Sequence, residues 1–539
     1  MQKIIECVPN FSEGKNQEII NAIADAIRNT QGVTLLDVDP GKSTNRTVYT
    51  FVGDPTAIVE GALNSARVAY KLIDMQTQKG EHPRMGAMDV CPFVPVANVT
   101  MEECVECSKE FARRASEELG IPFYLYEEAQ TKEHRKRLPD IRQGEYEGLA
   151  KKIVMPEWKP DFGPAKFIPT WGATVTGARF FLVAYNVNIL GTSNQAHRIA
   201  LDLREAGRSE KEPGKLKETK GLGWYVDEYN MAQVSMNLNN YKVTAIHTAF
   251  EEVLKSAKEL NVAVAGSELV GLVPLDAMLM AADYYMKEEG LMIVDERQKI
   301  TLVVERLGLN SISKFDPDKR IIEYMIKENN EPLASLSVRG FIEEIANRSS
   351  APGGGSASAA IAAIGAGLGC MVGQLTYGIR KFENVDKEMR SLIPPLYDAV
   401  QKLIPMIDAD TNAFNDYMDA LRLPKNTDEE KKIRTAAMQA GLKKAIQIPL
   451  TTMQYADECW KAMMKVAKYG NIASKSDVEV GVSALAMGIW GAYKNVLINL
   501  KDIKDENFIK EINTIATEIK DRSKEKHSRI LKILNNRVK

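Results

Sequence analysis

The sequence predicts a multidomain protein with an N-terminal α/β part, built from two tandem α/β subdomains with mixed sheets, and a C-terminal all-α helical bundle. Up to about residue 310, short runs of β-branched and aromatic residues alternate with helix-like stretches. Beyond about residue 335, apolar residues recur with a period of about 3.6 and no hairpin pattern occurs. The length of 539 residues also exceeds what a single core normally organises.

The first subdomain is predicted over residues 1–180. The runs KIIECVP and VTLLDVD are strand-like and flank a helix with one apolar face. RTVYTFVG is a further strand, and Asp54 followed by Pro55 is typical of the start of a helix. The strands VCPFVPVANV and PFYLYEE follow, and a helix beginning at Thr100 separates them.

The second subdomain is predicted over residues 181–326, because the alternation restarts near Gly177 with ARFFLVAYNVNIL. The strand AQVSMNL lies between a helix over residues 193–206 and a helix over residues 243–260. A third helix begins at Leu275. The order of these elements indicates an open sheet rather than a barrel.

A linker is predicted over residues 327–334, in a stretch that is charged and poor in aromatic residues, and the helical domain over residues 335–539. One run, ASAAIAAIGAGLGCMVGQL (357–375), has about the length that spans a bilayer. It consists mostly of Ala and Gly, so we interpret it as a buried helix. Its regularly spaced glycines allow close helix packing within one subunit or across a dimer; they are Gly365, Gly369 and Gly373.

The composition argues against several classes of protein. Lys plus Arg (70) nearly balances Asp plus Glu (72), which disfavours a dedicated nucleic-acid binder. Six cysteines in this length do not form a disulfide framework, which favours a reducing compartment. Cys104 and Cys107 lack the second pair that a zinc site needs, so no metal is expected. The N-terminus has no basic region followed by an apolar run, so we expect no signal peptide and a cytoplasmic protein.

Two polar residues stand out by position. His82, in the loop GEHPRMGAMDV, is the one histidine of five placed where a sheet carries a loop, and an imidazole there can accept and donate a proton at neutral pH. Asp410 occupies a core position in a helical apolar row that also contains Leu403, Ile407, Phe414 and Tyr417. Such an acid is either part of a structural ion pair or a functional acid with a raised pKa.

Two further stretches leave alternatives open. The turn between two strands that holds Asp39 and Arg46 is either a solvated turn or part of a site. The run APGGGSASAA places Gly353, Gly354, Gly355 and Ser356 directly before a helix. Its free amides either bind an anionic or polar group or form a flexible entry that Ser356 caps.

Several strings together resemble glutamate formimidoyltransferase fused to formimidoyltetrahydrofolate cyclodeaminase, from end to end and in the same domain order. They are CVPNFSEG, VDPGKSTNRTVYTFVG, GEHPRMGAMDVCPFVP, GPAKFIPTWGATVTGARFFLVAYNVNIL, APGGGSASAA, LPKNT and GAYKNVLINL. The resemblance implies transfer of the formimidoyl group from N-formimidoyl-L-glutamate to tetrahydrofolate, with release of glutamate. It then implies cyclisation to methenyl-tetrahydrofolate with release of ammonia, as part of histidine degradation.

For the transferase, the resemblance places the catalytic histidine at His82. We expect Asp39 to orient its imidazole and Arg46 to hold a carboxylate. The family's folate-binding stretch falls on Gly163, Pro164, Ala165, Lys166, Phe167, Ile168, Pro169, Thr170, Trp171 and Gly172. Within it, we expect Lys166 to meet a carboxylate and Trp171 to flank the pteridine.

For the cyclodeaminase, the resemblance places the catalytic acid at Asp410. Thr411 and Asn412 do not match the family pattern securely, so their roles stay open. The helix start Gly353–Ser356 and Asp477 are candidate contacts for folate. The resemblance also implies tetrahydrofolate with a polyglutamate tail as co-substrate, and a homo-oligomeric ring of dimers. The alternative hypothesis is a folate-binding scaffold that has lost one or both activities.

Overall fold

The structure is a computed structural model that describes residues 3–42, 44–80, 82–326 and 331–537. The chain divides into two compact units, Met1–Lys327 and Glu328–Lys539. Among the described residues, the first unit is α/β and the second is helical throughout, which confirms the predicted fold class. Residues 327–330 of the predicted linker lie outside the described residues.

The first sheet of the α/β unit is mixed. Its strands are β1 (Ile4–Cys7), β2 (Asn10–Phe11), β3 (Val33–Gly41), β4 (Arg46–Gly53), β5 (Met88–Ala97), β6 (Phe123–Glu127) and β7 (Thr174–Ala178). β1 and β2 both lie between β4 and β5, and β3 flanks β4. These pairs are antiparallel, whereas β7 pairs in parallel with β5 and β6.

The α-helices described with this sheet are α1 (Gln17–Arg28), α2 (Pro55–Leu72), α3 (Met101–Leu119), α4 (Leu138–Arg142) and α5 (Glu145–Lys152). The predicted start of α2 is confirmed, since Asp54 accepts hydrogen bonds from the Thr56 and Ala57 amides at 2.7 and 3.0 Å. Thr100 caps α3 through a capping box with Glu103. These caps fix where the chain leaves the sheet.

The second sheet is antiparallel throughout rather than mixed. Its strands β8 (Val183–Leu190), β9 (Thr219–Val226), β10 (Met231–Leu238) and β11 (Ala263–Val270) are arranged in the order β11-β8-β10-β9. The helices are α6 (Ser193–Leu203), α7 (Ile246–Glu259), α8 (Leu275–Glu289), α9 (Glu296–Arg306), α10 (Pro317–Arg320) and α11 (Ile322–Met325). Its core also includes Ile4, Val52 and Val94 of the first sheet, so the two subdomains share one apolar core.

The second unit consists of α12 (Val338–Ile345), α13 (Gly354–Gln374), α14 (Asp386–Arg422), α15 (Asp428–Glu458), α16 (Trp460–Tyr469), α17 (Lys475–Leu500) and α18 (Glu506–Asn536). α13 is the one helix in the described chain that is long and apolar enough to cross a membrane, yet 61% of its most apolar window is buried inside the protein. This burial agrees with the prediction of a buried core helix.

The glycines of α13 serve packing within one subunit. A Cβ at Gly365 would lie 2.7 Å from the Gly481 carbonyl oxygen of α17, and one at Gly369 would lie 2.2 Å from Met463 Sδ. A Cβ at Gly373 would approach a side chain of α14 to 2.8 Å. The structure therefore decides between the two alternatives left open by the sequence, because these small residues are already covered by neighbouring helices of the same chain.

Candidate active sites

His82 lies in the loop between α2 and β5 and is partly buried. Its Nδ1 is 2.7 Å from the Pro83 carbonyl oxygen. A carbonyl oxygen accepts but does not donate, so Nδ1 carries the hydrogen and Nε2 of the neutral ring keeps its lone pair. Burial lowers the pKa of His82, and the positive charges of Arg46 and Arg142 lower it further. At neutral pH the ring is thus neutral and can act as a base through Nε2.

Beside His82, a buried carboxylate joins two arginines. Asp89, at the start of β5, is 0% exposed, and its Oδ2 accepts a hydrogen bond from Arg46 Nη1 at 2.6 Å. Arg142, at the end of α4, donates to the same oxygen, and the Met85 amide donates to Oδ1 at 2.8 Å. The pKa of Asp89 lies below its usual range: burial alone would raise it, but the two guanidinium groups outweigh that effect.

Several family-like strings of the sequence meet at this place. From CVPNFSEG, Asn10 Oδ1 accepts a hydrogen bond from Arg46 Nε at 2.9 Å. From the same string, Ser12 Oγ donates to the Gly86 carbonyl oxygen at 2.8 Å, next to the His82 loop. The β1–β2 segment, β4 and the His82 loop therefore form one hydrogen-bonded assembly in the middle of the first sheet.

Of the two predicted helpers of His82, only Arg46 lies at this site. Asp39 is exposed on β3, and among the described residues it makes no side-chain hydrogen bond or ion pair with His82. The acid with an electrostatic influence on His82 is instead Asp89. Its sequence signal was an acid in an otherwise apolar strand, the same kind of signal that singled out Asp410. Arg142 lies in a charged stretch and had no comparable signal.

The stretch from Gly163 to Gly172 runs directly alongside the His82 loop. Gly172 has φ +80°, and a Cβ there would lie 2.1 Å from the Met85 carbonyl oxygen. The Ala87 amide donates to the Trp171 carbonyl oxygen at 2.8 Å, and the Ala173 amide donates to the Met85 carbonyl oxygen at 3.2 Å. The predicted folate-binding stretch and the predicted catalytic histidine are thus brought together.

Within this stretch the two predicted contact residues differ. Lys166 is exposed, as the expected carboxylate contact requires. Trp171 is only 1% exposed, and its Nε1 donates to Thr174 Oγ1 at 3.0 Å. Its ring packs beside Tyr70, at a centroid distance of 5.8 Å. The expectation that Trp171 flanks a pteridine is therefore not met in this structure: its ring supports the stretch from the core.

In the helical unit, Asp410 of α14 faces the start of α13. The Ser356 amide donates to Asp410 Oδ2 at 3.0 Å, and Ser356 Oγ lies 3.4 Å from the same oxygen. A Cβ at Gly355 would be 2.1 Å from Asp410 Oδ1, so the carboxyl group occupies the space that a side chain would fill. Burial raises the pKa of Asp410, and the hydrogen bonds from Ser356 offset part of this rise.

Some of the residues predicted near Asp410 belong to its cluster and others do not. Thr411 Oγ1 lies 3.1 Å from Ser356 Oγ and belongs to this cluster, whereas Asn412 is exposed. Asp477 lies near the start of α17, but the part of α17 close to Gly354 is Asn495. Eighteen residues of helix separate the two, about 27 Å at 1.5 Å per residue. The helix start and Asp410 are therefore brought together, and Asp477 is not part of that cluster within the chain.

One buried acid of α14 was not singled out by the sequence pattern. Asp408 is 3% exposed and accepts hydrogen bonds from the Leu333 and Ala334 amides at 2.8 and 3.0 Å. It therefore anchors the segment that precedes α12. Among the described residues, the backbone group that donates to Asp410 is the Ser356 amide at the start of α13, so the two acids have different surroundings although they are two residues apart.

Three family models match consecutive parts of the chain. The N-terminal subdomain of the formiminotransferase domain matches residues 4–179, and the formiminotransferase domain matches residues 184–327. The formiminotransferase-cyclodeaminase model matches residues 337–518.

Curated relatives cover the whole chain. The chain is 62% identical over 540 residues to formimidoyltransferase-cyclodeaminase of Dictyostelium discoideum, and the alignment covers 100% of both chains. It is 54% identical over 539 residues to the Gallus gallus protein of the same name, again over 100% of both. It is also 44% identical over 291 residues to glutamate formimidoyltransferase of Streptococcus pyogenes serotype M1, which covers 54% of this chain and 95% of that relative.

Proposed function

The chain belongs to the formimidoyltransferase-cyclodeaminase family, and we propose that it performs both reactions with His82 and Asp410 as the proton-handling residues. The first reaction transfers the formimidoyl group of N-formimidoyl-L-glutamate to tetrahydrofolate and releases glutamate. The second closes formimidoyl-tetrahydrofolate to methenyl-tetrahydrofolate and releases ammonia. Together they pass a one-carbon unit from histidine degradation to folate.

In the transfer reaction, His82 acts first as a base and then as an acid. Nε2 of the neutral ring accepts the proton of the attacking folate amine as the new C–N bond forms. The imidazolium then donates this proton to the glutamate nitrogen, and the old C–N bond breaks. The lowered pKa of His82 supports both steps, because it favours the neutral ring before attack and makes the imidazolium a better proton donor than a solvated one.

In the cyclisation, Asp410 acts as the acid. The second folate nitrogen attacks the formimidoyl carbon within the same molecule, so holding the two atoms in close approach supplies much of the acceleration. The carboxyl proton of Asp410 and the proton lost by the attacking folate nitrogen both go to the amidine nitrogen, whose bond to the carbon breaks as it leaves as ammonia. The raised pKa of Asp410 keeps more of this acid protonated near neutral pH than an exposed aspartate would be.

One observation carries the assignment: in each compact unit a family-like string brings a proton-handling side chain to a built cluster. His82 lies in the loop that is hydrogen-bonded to Asp89 and to the stretch 163–172, and the carboxyl group of Asp410 is buried against the start of α13. The test follows methenyl-tetrahydrofolate by ultraviolet absorbance. His82→Ala should abolish formation from formimidoylglutamate and tetrahydrofolate but retain cyclisation of supplied formimidoyl-tetrahydrofolate. Asp410→Ala should retain glutamate release and lose cyclisation.

Matched controls are exposed residues of the same two types. His134→Ala changes an exposed histidine, and Asp419→Asn changes an exposed acid on the same helix as Asp410. Both should keep both activities. Loss of both activities in either His82→Ala or Asp410→Ala, with the fold intact, would contradict two separate sites. A wild-type protein that binds folate without either reaction would instead favour the scaffold hypothesis.

For the folate itself, we propose that the stretch Gly163–Gly172 lies under the bound tetrahydrofolate and that Lys166 contacts its glutamate tail. The hydrogen bonds between this stretch and the His82 loop, together with the exposure of Lys166, support this. Lys166→Glu should weaken binding of a pentaglutamate folate more than that of a monoglutamate, measured by equilibrium dialysis. Equal weakening of both would contradict contact with the tail.

We also propose a homo-oligomer that resides in the cytoplasm. All six cysteines are free, which is typical of a reducing compartment. The second unit exposes large apolar side chains along two helices. They are Ile364 and Met371 on α13, Leu375 directly after it, and Val480, Met487, Trp490 and Ile498 on α17. Trp490→Glu should lower the molar mass measured by light scattering after gel filtration, and a monomeric wild type would contradict the proposal.

A further inference from the structure

The cluster around Asp89 holds more positive than negative charge. Arg46 and Arg142 both donate to the same oxygen of Asp89, and among the described residues neither arginine forms an ion pair with another acid. Their side chains are only 8% and 13% exposed, and Asp89 is fully buried. Two guanidinium groups and one carboxylate therefore leave a surplus of one positive charge in a largely desolvated place, which favours the binding of an anion.

Within the part of the chain that the structure describes, the two arginines keep guanidinium N–H groups that have no protein acceptor, and Arg142 Nε is one of these buried groups. Arg46 uses Nε for Asn10 and Nη1 for Asp89, and Arg142 uses Nη2 for Asp89. The other oxygen of Asp89 is taken by the Met85 amide, so Asp89 has little capacity for further donors. A planar fork of this kind matches a carboxylate, which accepts two parallel hydrogen bonds.

The two arginines and Asp89 lie near His82, the proposed base of the transfer reaction. His82, Arg46 and Arg142 are close enough for both guanidinium charges to act on the imidazole. A carboxylate bound to the two arginines would therefore lie beside the general base of the transfer reaction. The donor N-formimidoyl-L-glutamate carries a carboxylate next to the nitrogen that must receive a proton, and a second one at the end of its side chain.

We propose that Arg142, together with Arg46, binds a carboxylate of the formimidoyl donor, and that the buried Asp89 is the positioning residue that holds both arginines toward it. This inference rests on the proposed transferase function. It adds a second binding arginine from α4 and an acid from β5 to the single arginine that the sequence suggested. Binding of the donor then compensates the surplus charge, so His82 becomes a stronger base when the donor is present.

The test compares donors with and without carboxylates in the full-length protein. Arg142→Gln should raise KM for N-formimidoyl-L-glutamate by about 10- to 100-fold, as expected for a lost charge-assisted hydrogen-bond pair. KM for tetrahydrofolate should stay within about twofold of the wild type. With formamidine, which has no carboxylate, kcat/KM should change by less than about threefold, because the lost contact is not used.

Controls separate binding from folding. Arg142→Lys keeps the positive charge but loses the planar guanidinium group, so it should raise KM for the donor less than Arg142→Gln does. If the glutamine variant does not fold, the KM of the lysine variant is the test: an unchanged KM for the donor would contradict the proposal. Arg137→Gln, just before the same helix, removes an exposed ion pair with Asp140 and should leave all parameters unchanged.

The pH dependence gives a second readout that a purely structural role would not alter. The charged groups facing His82 are Arg46 on β4, Arg142 on α4 and Asp89 on β5. Removing one positive charge should raise the pKa of His82. The acid limb of the kcat/KM profile should therefore move to higher pH in Arg142→Gln.

Different outcomes would contradict the proposed transferase function and the proposed role of Arg142. If the wild type shows no formimidoyl transfer, the proposed function fails. If the wild type is active but Arg142→Gln has an unchanged KM for the donor and an unchanged acid limb, the donor-binding role of Arg142 is wrong. A rise in KM for tetrahydrofolate alone would assign the two arginines to the folate and would also overturn the inference.

Discussion

The contact between Gly355 and Asp410 gives the sharpest prediction for the cyclodeaminase. In Gly355→Ala, the new Cβ would lie 2.1 Å from Oδ1 and 2.4 Å from Cγ and Oδ2 of Asp410. Ordinary contacts begin at 3.4 Å, so the carboxyl group must move by 3.4 − 2.1 = 1.3 Å or the start of α13 must shift by that amount. Either movement breaks the hydrogen bond from the Ser356 amide.

A misplacement of about 1 Å near reacting atoms costs about 100-fold in rate. We therefore expect Gly355→Ala to reduce kcat for cyclisation of supplied formimidoyl-tetrahydrofolate by about that factor, followed as the absorbance of methenyl-tetrahydrofolate. Formimidoyl transfer should be retained, because His82 belongs to the other compact unit. The helical unit should also lose about 1–3 kcal/mol of stability through the crowding, so the rates are compared at a temperature at which both proteins are folded.

Gly367→Ala is the matched control on the same helix. A Cβ there would meet only Val400 Cγ2, at 3.9 Å, which is an ordinary contact. This variant should keep full cyclisation and gain about 0.5–1 kcal/mol of stability. The reasoning would be refuted if Gly355→Ala cyclised formimidoyl-tetrahydrofolate at the wild-type rate, or if both glycine variants lost activity equally.

Three further predictions concern stability. Gly369→Ala should lower the free energy of unfolding of the helical unit, measured in urea, by about 1–3 kcal/mol, because its Cβ would lie 2.2 Å from Met463 Sδ. The oligomeric state should stay unchanged. A changed oligomeric state without loss of stability would instead indicate that this glycine packs across a dimer. Asp408→Ala should destabilise the same unit by about 2–4 kcal/mol, since it loses two charge-assisted hydrogen bonds, and an unchanged urea midpoint would contradict its anchoring role. Burial lowers the pKa of His247 to about 4, so stability should be full above about pH 6.5 and fall as the pH decreases toward 4. His247→Phe, which keeps the stacking on Tyr284, should reduce this acid loss, and an identical pH profile of the urea midpoint would show that His247 does not titrate in this range.

Much of the architecture was predictable because burial leaves a periodic trace in the sequence. The isoleucines of α1 and the apolar row of α17 recur at helical spacing, and these residues are buried. The start of α2 was predictable for a different reason, since an Asp–Pro pair stabilises a helix start through local contacts alone. The sequence did not predict that the second sheet is antiparallel throughout. Strand pairing depends on contacts between segments that are distant in the sequence.

The candidate sites were predictable from local position: His82 lies in a loop next to a strand, and Asp410 interrupts an apolar row. Asp410 was found in this way, and Asp89 carries the same signal at the start of β5. Arg142 was not predictable, because nothing in a charged stretch indicates that one arginine will reach a carboxylate 53 residues away. The orientation of Trp171 was also not predictable, because its position in the predicted folate-binding stretch does not show whether its ring faces solvent or the core.

The sequence by itself determined the two classes of domain and the starts of α2 and α3, and it singled out two residues as candidates for proton transfer. These properties depend on neighbours within a few residues, whose spacing is fixed along the chain. Only the tertiary structure decided that the glycines of α13 pack inside one subunit, that Asp39 lies apart from His82, and that Asp89 joins two arginines beside it. Each of these depends on how distant segments approach one another, because buried polar groups and close-packed glycines acquire their partners only when the chain has folded.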